Sequence, residues 1–93
     1  MPESEVVKVF IIKNKLGLHA RAAAVFVRLS SRFACDVKLV KNGYEVDGKS
    51  ILGVLSLAAA KGSDIQVITK GEGAGKAMAE IEELIESGFG EGV

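Results

Sequence analysis

This sequence holds one histidine, His19, in the stretch N-K-L-G-L-H-A-R-A-A-A-V-F from Asn14 to Phe26. By itself, a histidine at a helix start is a capping or surface residue. Its neighbours point elsewhere. A helix beginning at Ala20 leaves the backbone N–H groups of Ala20 and Arg21, with Ala22 behind them, without intrahelical partners. Those donors, with roughly half a positive charge from the helix dipole, make a ready anion site. Arg21 adds a guanidinium whose fork suits phosphate oxygens. Gly17 frees the loop to turn the imidazole outward, and the alanines after Arg21 let a second protein come close. A neutral imidazole nitrogen can attack a phosphoryl group, and phosphoryl transfer needs chiefly positioning and charge stabilisation. No nucleotide-binding pattern accompanies the set. These residues describe a carrier that receives phosphate from a protein, with His19 as acceptor, Arg21 as stabiliser and the amides of Ala20 and Arg21 as cradle.

Ser50, in V-D-G-K-S-I-L-G-V-L-S-L, is a second candidate. Serine is a preferred N-cap, so its structural reading is the start of a helix. Its functional reading is a regulatory phosphosite, since a phosphoserine there suits the helix dipole while adding nearly two negative charges. The short helix that follows cannot turn every apolar residue inward. Ile51, Leu52 and Leu55 are therefore expected to form part of a docking surface. On the preceding helix Ala24, Val25 and Arg28 share a face with Arg21, mixing small apolar contact with positive charge suited to an acidic partner.

Other candidates fail on spacing. K-G-E-G-A-G-K-A, Lys70 to Ala77, resembles a phosphate loop, but position 70 is lysine and Ala77 follows Lys76, so the Walker pattern is absent. It reads as a strand-to-helix turn. One His and one Cys supply no metal-ligand cluster, so no metal and no cofactor are expected. The carboxylates of E-I-E-E-L-I-E are expected on a solvated helix face. Cys35, set in R-F-A-C-D-V, reads as a buried, inert thiol.

The elements that must position these residues follow from pattern. Val6 to Ile12 is β-branched, a strand. A helix is expected from Ala20 to about Phe33, with Ala22, Phe26, Leu29 and Phe33 on one stripe and Arg21, Arg28 and Arg32 on another. Asp36–Lys41 and Tyr44–Asp47 flank Asn42-Gly43, a strong hairpin signal. Ser50 to roughly Ala59 reads as a short helix and Asp64–Lys70 as a strand. Ala74, Ala77, Met78, Ile81, Leu84 and Ile85 form a last helical stripe, closed at Ser87-Gly88. Met1–Glu5 reads as a polar lead-in and the terminal G-F-G-E-G-V as a glycine-rich fray. The order β-α-β-β-α-β-α, with an apolar sheet face to cover, gives an α+β two-layer sandwich. Its antiparallel sheet carries three helices on one face, and the other face is solvated around Lys38, Glu45 and Gln66.

The bulk properties agree. Ninety-three residues, 48% hydrophobic, suit one domain spanning 1–93 with its core at about 6–90. Twelve basic and twelve acidic side chains cancel, and there is no Trp, which argues against nucleic acid as partner. A lone cysteine fits a reducing compartment. With no signal-peptide pattern and no membrane-spanning run, the chain is expected to be cytoplasmic, without membrane insertion, and monomeric.

L-G-L-H-A-R-A-A-A-V-F resembles the active-site motif of the HPr family, histidine-containing phosphocarriers of the bacterial phosphotransferase system. G-K-S-I-L-G-V-L-S-L-A-A-A-K-G-S-D-I resembles that family's regulatory-serine region. The likeness runs over about Val6 to Gly90. It implies an open-faced β-sandwich with a four-stranded sheet. It also implies phosphorylation of His19 on Nδ1, enzyme I as donor, an enzyme IIA domain as acceptor, and Arg21 stabilising the phosphoryl group. Ser50 matches the serine modified by HPr kinase/phosphorylase, and Ile51, Leu52 and Leu55 match the docking patch. Many members have proline after the motif arginine, where this chain has Ala22, an excellent helix former. Two other roles remain open from the residues: a regulatory binding module switched through Ser50 with little transport flux, and an RNA-binding α+β domain, against which neutral charge and few aromatics count.

Overall fold

The computed structural model describes residues 4–91. Its elements are β1 (Glu5–Ile11), α1 (Ala20–Ser30), β2 (Asp36–Lys41), β3 (Tyr44–Asp47), α2 (Ile51–Ser56), β4 (Asp64–Lys70) and α3 (Ala74–Glu86). The β-α-β-β-α-β-α order is the expected one, and β2, β3 and β4 have the expected bounds. All pairings are antiparallel, in the spatial order β1-β4-β2-β3. Asn42 and Gly43 both have positive φ, 51° and 79°, the geometry of a two-residue turn whose twist matches its strands.

Register divides the sheet into two faces. Phe10, Ile65, Val67, Thr69, Val37, Leu39 and Val46 lie on one face and are buried. They pack with Ala22, Ala23 and Phe26 of α1, Val54 of α2, and Ala77, Met78, Ile81 and Ile85 of α3 into one core. The other face carries Lys38, Glu45 and Gln66 as expected, together with exposed Val7, Val9 and Ile11.

Four expectations need correction. First, α1 ends at Ser30, not near Phe33, because Arg32 and Phe33 N–H donate to carbonyls three residues back, a tighter turn that closes the helix. Its buried residues are Ala22, Ala23, Phe26 and Ser30, while Leu29 and Phe33 are only half-buried. The Ser30 hydroxyl is taken inward by Gly48 O at 2.7 Å. Second, α2 runs over Ile51–Ser56 and does not reach Ala59. Ala58 takes a left-handed φ of 49°, and the chain leaves the helix so that Ala59 O can accept Leu18 N–H at 2.9 Å. Third, the carboxylates of α3 are not wholly solvated: Glu82 pairs with Lys8 at 2.8 Å and Glu86 pairs with Lys13, tying α3 to the β1 side.

The fourth concerns the chain end. Gly88 to Glu91 is ordered structure and not a fray. Gly88 N–H donates to Ile85 O and Phe89 N–H to Leu84 O, the paired bonds of a Schellman motif. Gly88, Phe89 and Gly90 all have positive φ, which turns the chain sharply back, and Phe89 is buried. A buried aromatic ring offsets the entropy of ordering this turn. Of the lead-in, Ser4 O accepts Gly71 N–H and Glu5 opens β1. Met1–Glu3 and Gly92–Val93 fall outside the described residues.

Candidate functional site

The β1–α1 loop is built from its backbone outward. Asn14 is fully buried, and its Nδ2 donates to Gly17 O at 2.7 Å, while Gly17 N–H returns to Asn14 O at 3.1 Å. Gly17 has φ +68°, and a Cβ there would lie 2.4 Å from Ala59 O. The glycine is thus required by close packing against the chain after α2. It does not loosen the loop, as its sequence context suggested; it lets the loop be clamped. Leu18 is buried behind it, and His19 follows as the N-cap of α1.

His19 has extended backbone, and its carbonyl accepts Ala23 N–H at 2.9 Å. Its imidazole makes no capping hydrogen bond. The first turn of α1 therefore keeps its donors free of any side-chain acceptor, and the ring is free for other work. Ala20 and Arg21 are exposed. A depression at this end of the molecule is lined by Lys15, Leu16, His19, Ala20, Arg21, Gly90 and Glu91. His19, Ala20 and Arg21 are brought together there as expected. Ser50 does not line it.

Glu91, Asn14, Lys15 and Leu16 are additions that sequence reasoning missed. Glu91 Oε2 lies 2.6 Å from His19 Nε2, and Asn14 Nδ2 donates to Glu91 Oε1 at 3.0 Å. Both Asn14 bonds run from Nδ2 to oxygen acceptors, which fixes the orientation of its amide. The Asn14 hydrogen bond leads in holding the Glu91 carboxyl below its ordinary value of 4.5. The His19 hydrogen bond and the charges of His19 and Arg21 add to it, against partial desolvation that pulls upward. The side chains are 29% exposed for His19 and 22% for Glu91, so the pair is half-sheltered. One sequence signal was available for the tail. Gly88-Phe89 directly after an apolar stripe is the signature of a Schellman stop with an apolar anchor. Nothing local to Asn14 marks it as the loop's inner post.

The second region is α2. Ser50 is its N-cap, and the Oγ accepts Gly53 N–H at 3.1 Å. Ile51 and Leu52 stand exposed, 44% and 79%, with Leu55 half-buried against the core. On α1, Ala24 and Val25 are half-buried and Arg28 is exposed, and the two helices pack against each other. The 71–75 turn is a strand-to-helix connection, with Gly73 at φ +81° capping α3 and the Thr69 hydroxyl donating to Ala74 O. Cys35 is a buried free thiol. Among the described residues no three His, Cys, Asp or Glu side chains are placed to hold a metal ion, and no helix is long and apolar enough to cross a membrane.

Comparison with known proteins agrees across the chain. A family model described as "PTS HPr component phosphorylation site" matches residues 6–87. The phosphocarrier protein HPr of Pseudomonas aeruginosa is 46% identical over 93 residues, covering 99% of each chain. Among solved structures, HPr from Thermoanaerobacter tengcongensis superposes with a TM-score of 0.89 at 39% identity, covering 97% of this chain and 99% of that one. HPr from Bacillus anthracis gives 0.84 at 38% identity, covering 88% and 98%.

Proposed function

The chain belongs to the HPr family of phosphocarriers of the phosphotransferase system, and from that premise we propose that His19 is the residue that carries the phosphoryl group. One observation carries this reading. The imidazole is held at the head of α1 beside Arg21, yet the helix does not use it as a cap. A ring kept at a helix start and left out of capping is placed for chemistry. The incoming phosphoryl oxygens would meet the free amides of Ala20 and Arg21 and the guanidinium of Arg21, in a depression that Lys15 also lines. The protein is a carrier rather than a stand-alone catalyst, since each turn leaves the phosphate on its own side chain until a partner removes it.

On this reading phosphorylated enzyme I is the donor and an enzyme IIA domain the acceptor. Leu16, Ile51 and Leu52 are the exposed apolar side chains near or between the two helix starts that suit such contacts. Ser50 is the regulatory position, where HPr kinase/phosphorylase would add a phosphate beside Ile51 and Leu52 and charge the docking surface. The carrier works in the cytoplasm, in keeping with its free thiol. Incubation with phosphoenolpyruvate and enzyme I should place an acid-labile, alkali-stable phosphate on the protein, and none on His19→Ala. An unlabelled native protein, or equal label on the variant, overturns the assignment.

A further inference from the structure

We propose that Glu91 is a positioning residue of this site: its carboxylate accepts a hydrogen bond from His19 Nε2–H, presents Nδ1 as the nucleophile, and balances the charge the ring acquires on phosphorylation. The proposal rests on His19 being the phosphoryl acceptor.

An ionised carboxylate only accepts hydrogen bonds. Glu91 is held ionised below the usual carboxylate range by its Asn14 hydrogen bond first, and then by His19 and the charge of Arg21. At 2.6 Å from Glu91 Oε2, His19 Nε2 must therefore be the donor. A neutral imidazole has one N–H. If Nε2 carries it, the lone pair is on Nδ1, and α1 does not consume that pair in capping. The tautomer is thus chosen by the chain end.

Glu91 is itself held in place. Asn14 grips its other oxygen from inside the loop, and the turn at Gly88–Gly90 delivers it, anchored by buried Phe89. Both carboxylate oxygens are therefore engaged, one by Asn14 Nδ2 and the other by His19 Nε2. Transfer then balances without moving a proton. The Nδ1 lone pair forms the new N–P bond while the bond from phosphorus to the donor protein breaks, its electron pair leaving with the donor. The Nε2 hydrogen stays, so the ring becomes cationic, and Glu91 already lies against the atom that shares that charge. Handing the phosphoryl group on reverses each change.

The test uses the full chain with ¹⁵N-labelled histidine in mildly alkaline solution, where nitrogen shifts report which ring atom bears hydrogen. The native protein should be almost wholly in the Nε2–H form. In Glu91→Ala the ratio of Nδ1–H to Nε2–H forms should rise roughly threefold to tenfold, the worth of a half-exposed hydrogen bond to a charge. Phosphorylation by phosphorylated enzyme I should slow by a similar factor. Glu91→Gln removes the charge and leaves one acceptor oxygen for two donors, Asn14 Nδ2 and His19 Nε2, so the tautomer ratio should move in the same direction as in Glu91→Ala and the rate should fall. An unchanged tautomer ratio in Glu91→Ala overturns the proposal. Faster phosphorylation in that variant also overturns it, because the tail would then be a cover and not a support. A native protein with the expected nitrogen shifts that takes no phosphate at all sinks the carrier reading, and with it the catalytic half of this one.

Discussion

Two helices in this molecule begin in opposite ways. At α2 the N-cap Ser50 turns its hydroxyl onto Gly53 N–H and closes its own helix end. At α1 the N-cap His19 gives the helix only its backbone carbonyl and sends its side chain out to Glu91. The first start is finished within four residues of sequence. The second is completed by a residue that the chain reaches only 72 positions later. The difference separates a helix start that stabilises itself from one whose N-cap side chain is directed elsewhere, at the cost of a local cap worth about 1 kcal/mol. It also constrains any modification at Ser50, whose oxygen is already at work in the fold. A phosphoryl group there must keep that cap while adding charge to a surface lined by Ile51 and Leu52.

Substitutions at the two helix starts and in the tail test this contrast. The largest effect is expected in labelling by enzyme I, which His19→Ala should abolish and Ser50→Ala should leave intact; loss of label in both would erase the distinction. Next is Phe89→Ala, which empties the anchor of the returning tail and should cost about 3 kcal/mol in urea unfolding. If the tail is as integral as its burial indicates, the same variant should also release Glu91 from His19, visible in the imidazole nitrogen shifts. Smaller still, Ser50→Ala should lose about 1 kcal/mol of stability while Ser50→Asp, an equally good cap, should lose almost none. His19→Ala, which removes no cap bond, should stay within about 0.5 kcal/mol of native in the same measurement.

The smallest effect is on acidification. Glu91 has its folded pKa below the ordinary 4.5. Its contacts with Asn14 and His19 therefore contribute stability that is full above the unfolded value and is lost as pH falls through the lowered folded value. In an NMR titration downward from neutrality, the amide signals of Gly90 and Glu91 should hold position past 4.5 and then move. Signals that shift at the ordinary carboxylate value would show that the tail is not held.

Much of the fold was legible because its signals are local. Asn42-Gly43 both accept positive φ, so the hairpin and its register follow from two residues. The alternation in Asp64–Lys70 and the stripe from Ala74 to Ile85 likewise report their own burial. The element ends that shifted were decided by distant partners. α2 stops early because Ala59 O is needed by Leu18, and that approach also makes Gly17 obligatory. The strand order, with β4 inserted between β1 and β2, is equally invisible in any one segment.

At the site the same division holds. The chain's own residue types determined a histidine and an arginine at a helix start, a serine at another, and a family whose motif spans both. These follow from short spacing, since capping, helix dipole and side-chain reach act within one turn. Gly88-Phe89 marked the turn locally, but tertiary structure alone decided that the turn brings Glu91 to Asn14 and His19. Packing of the last helix brings together groups that no local rule connects, and it is there that the ring's nitrogens become different from one another.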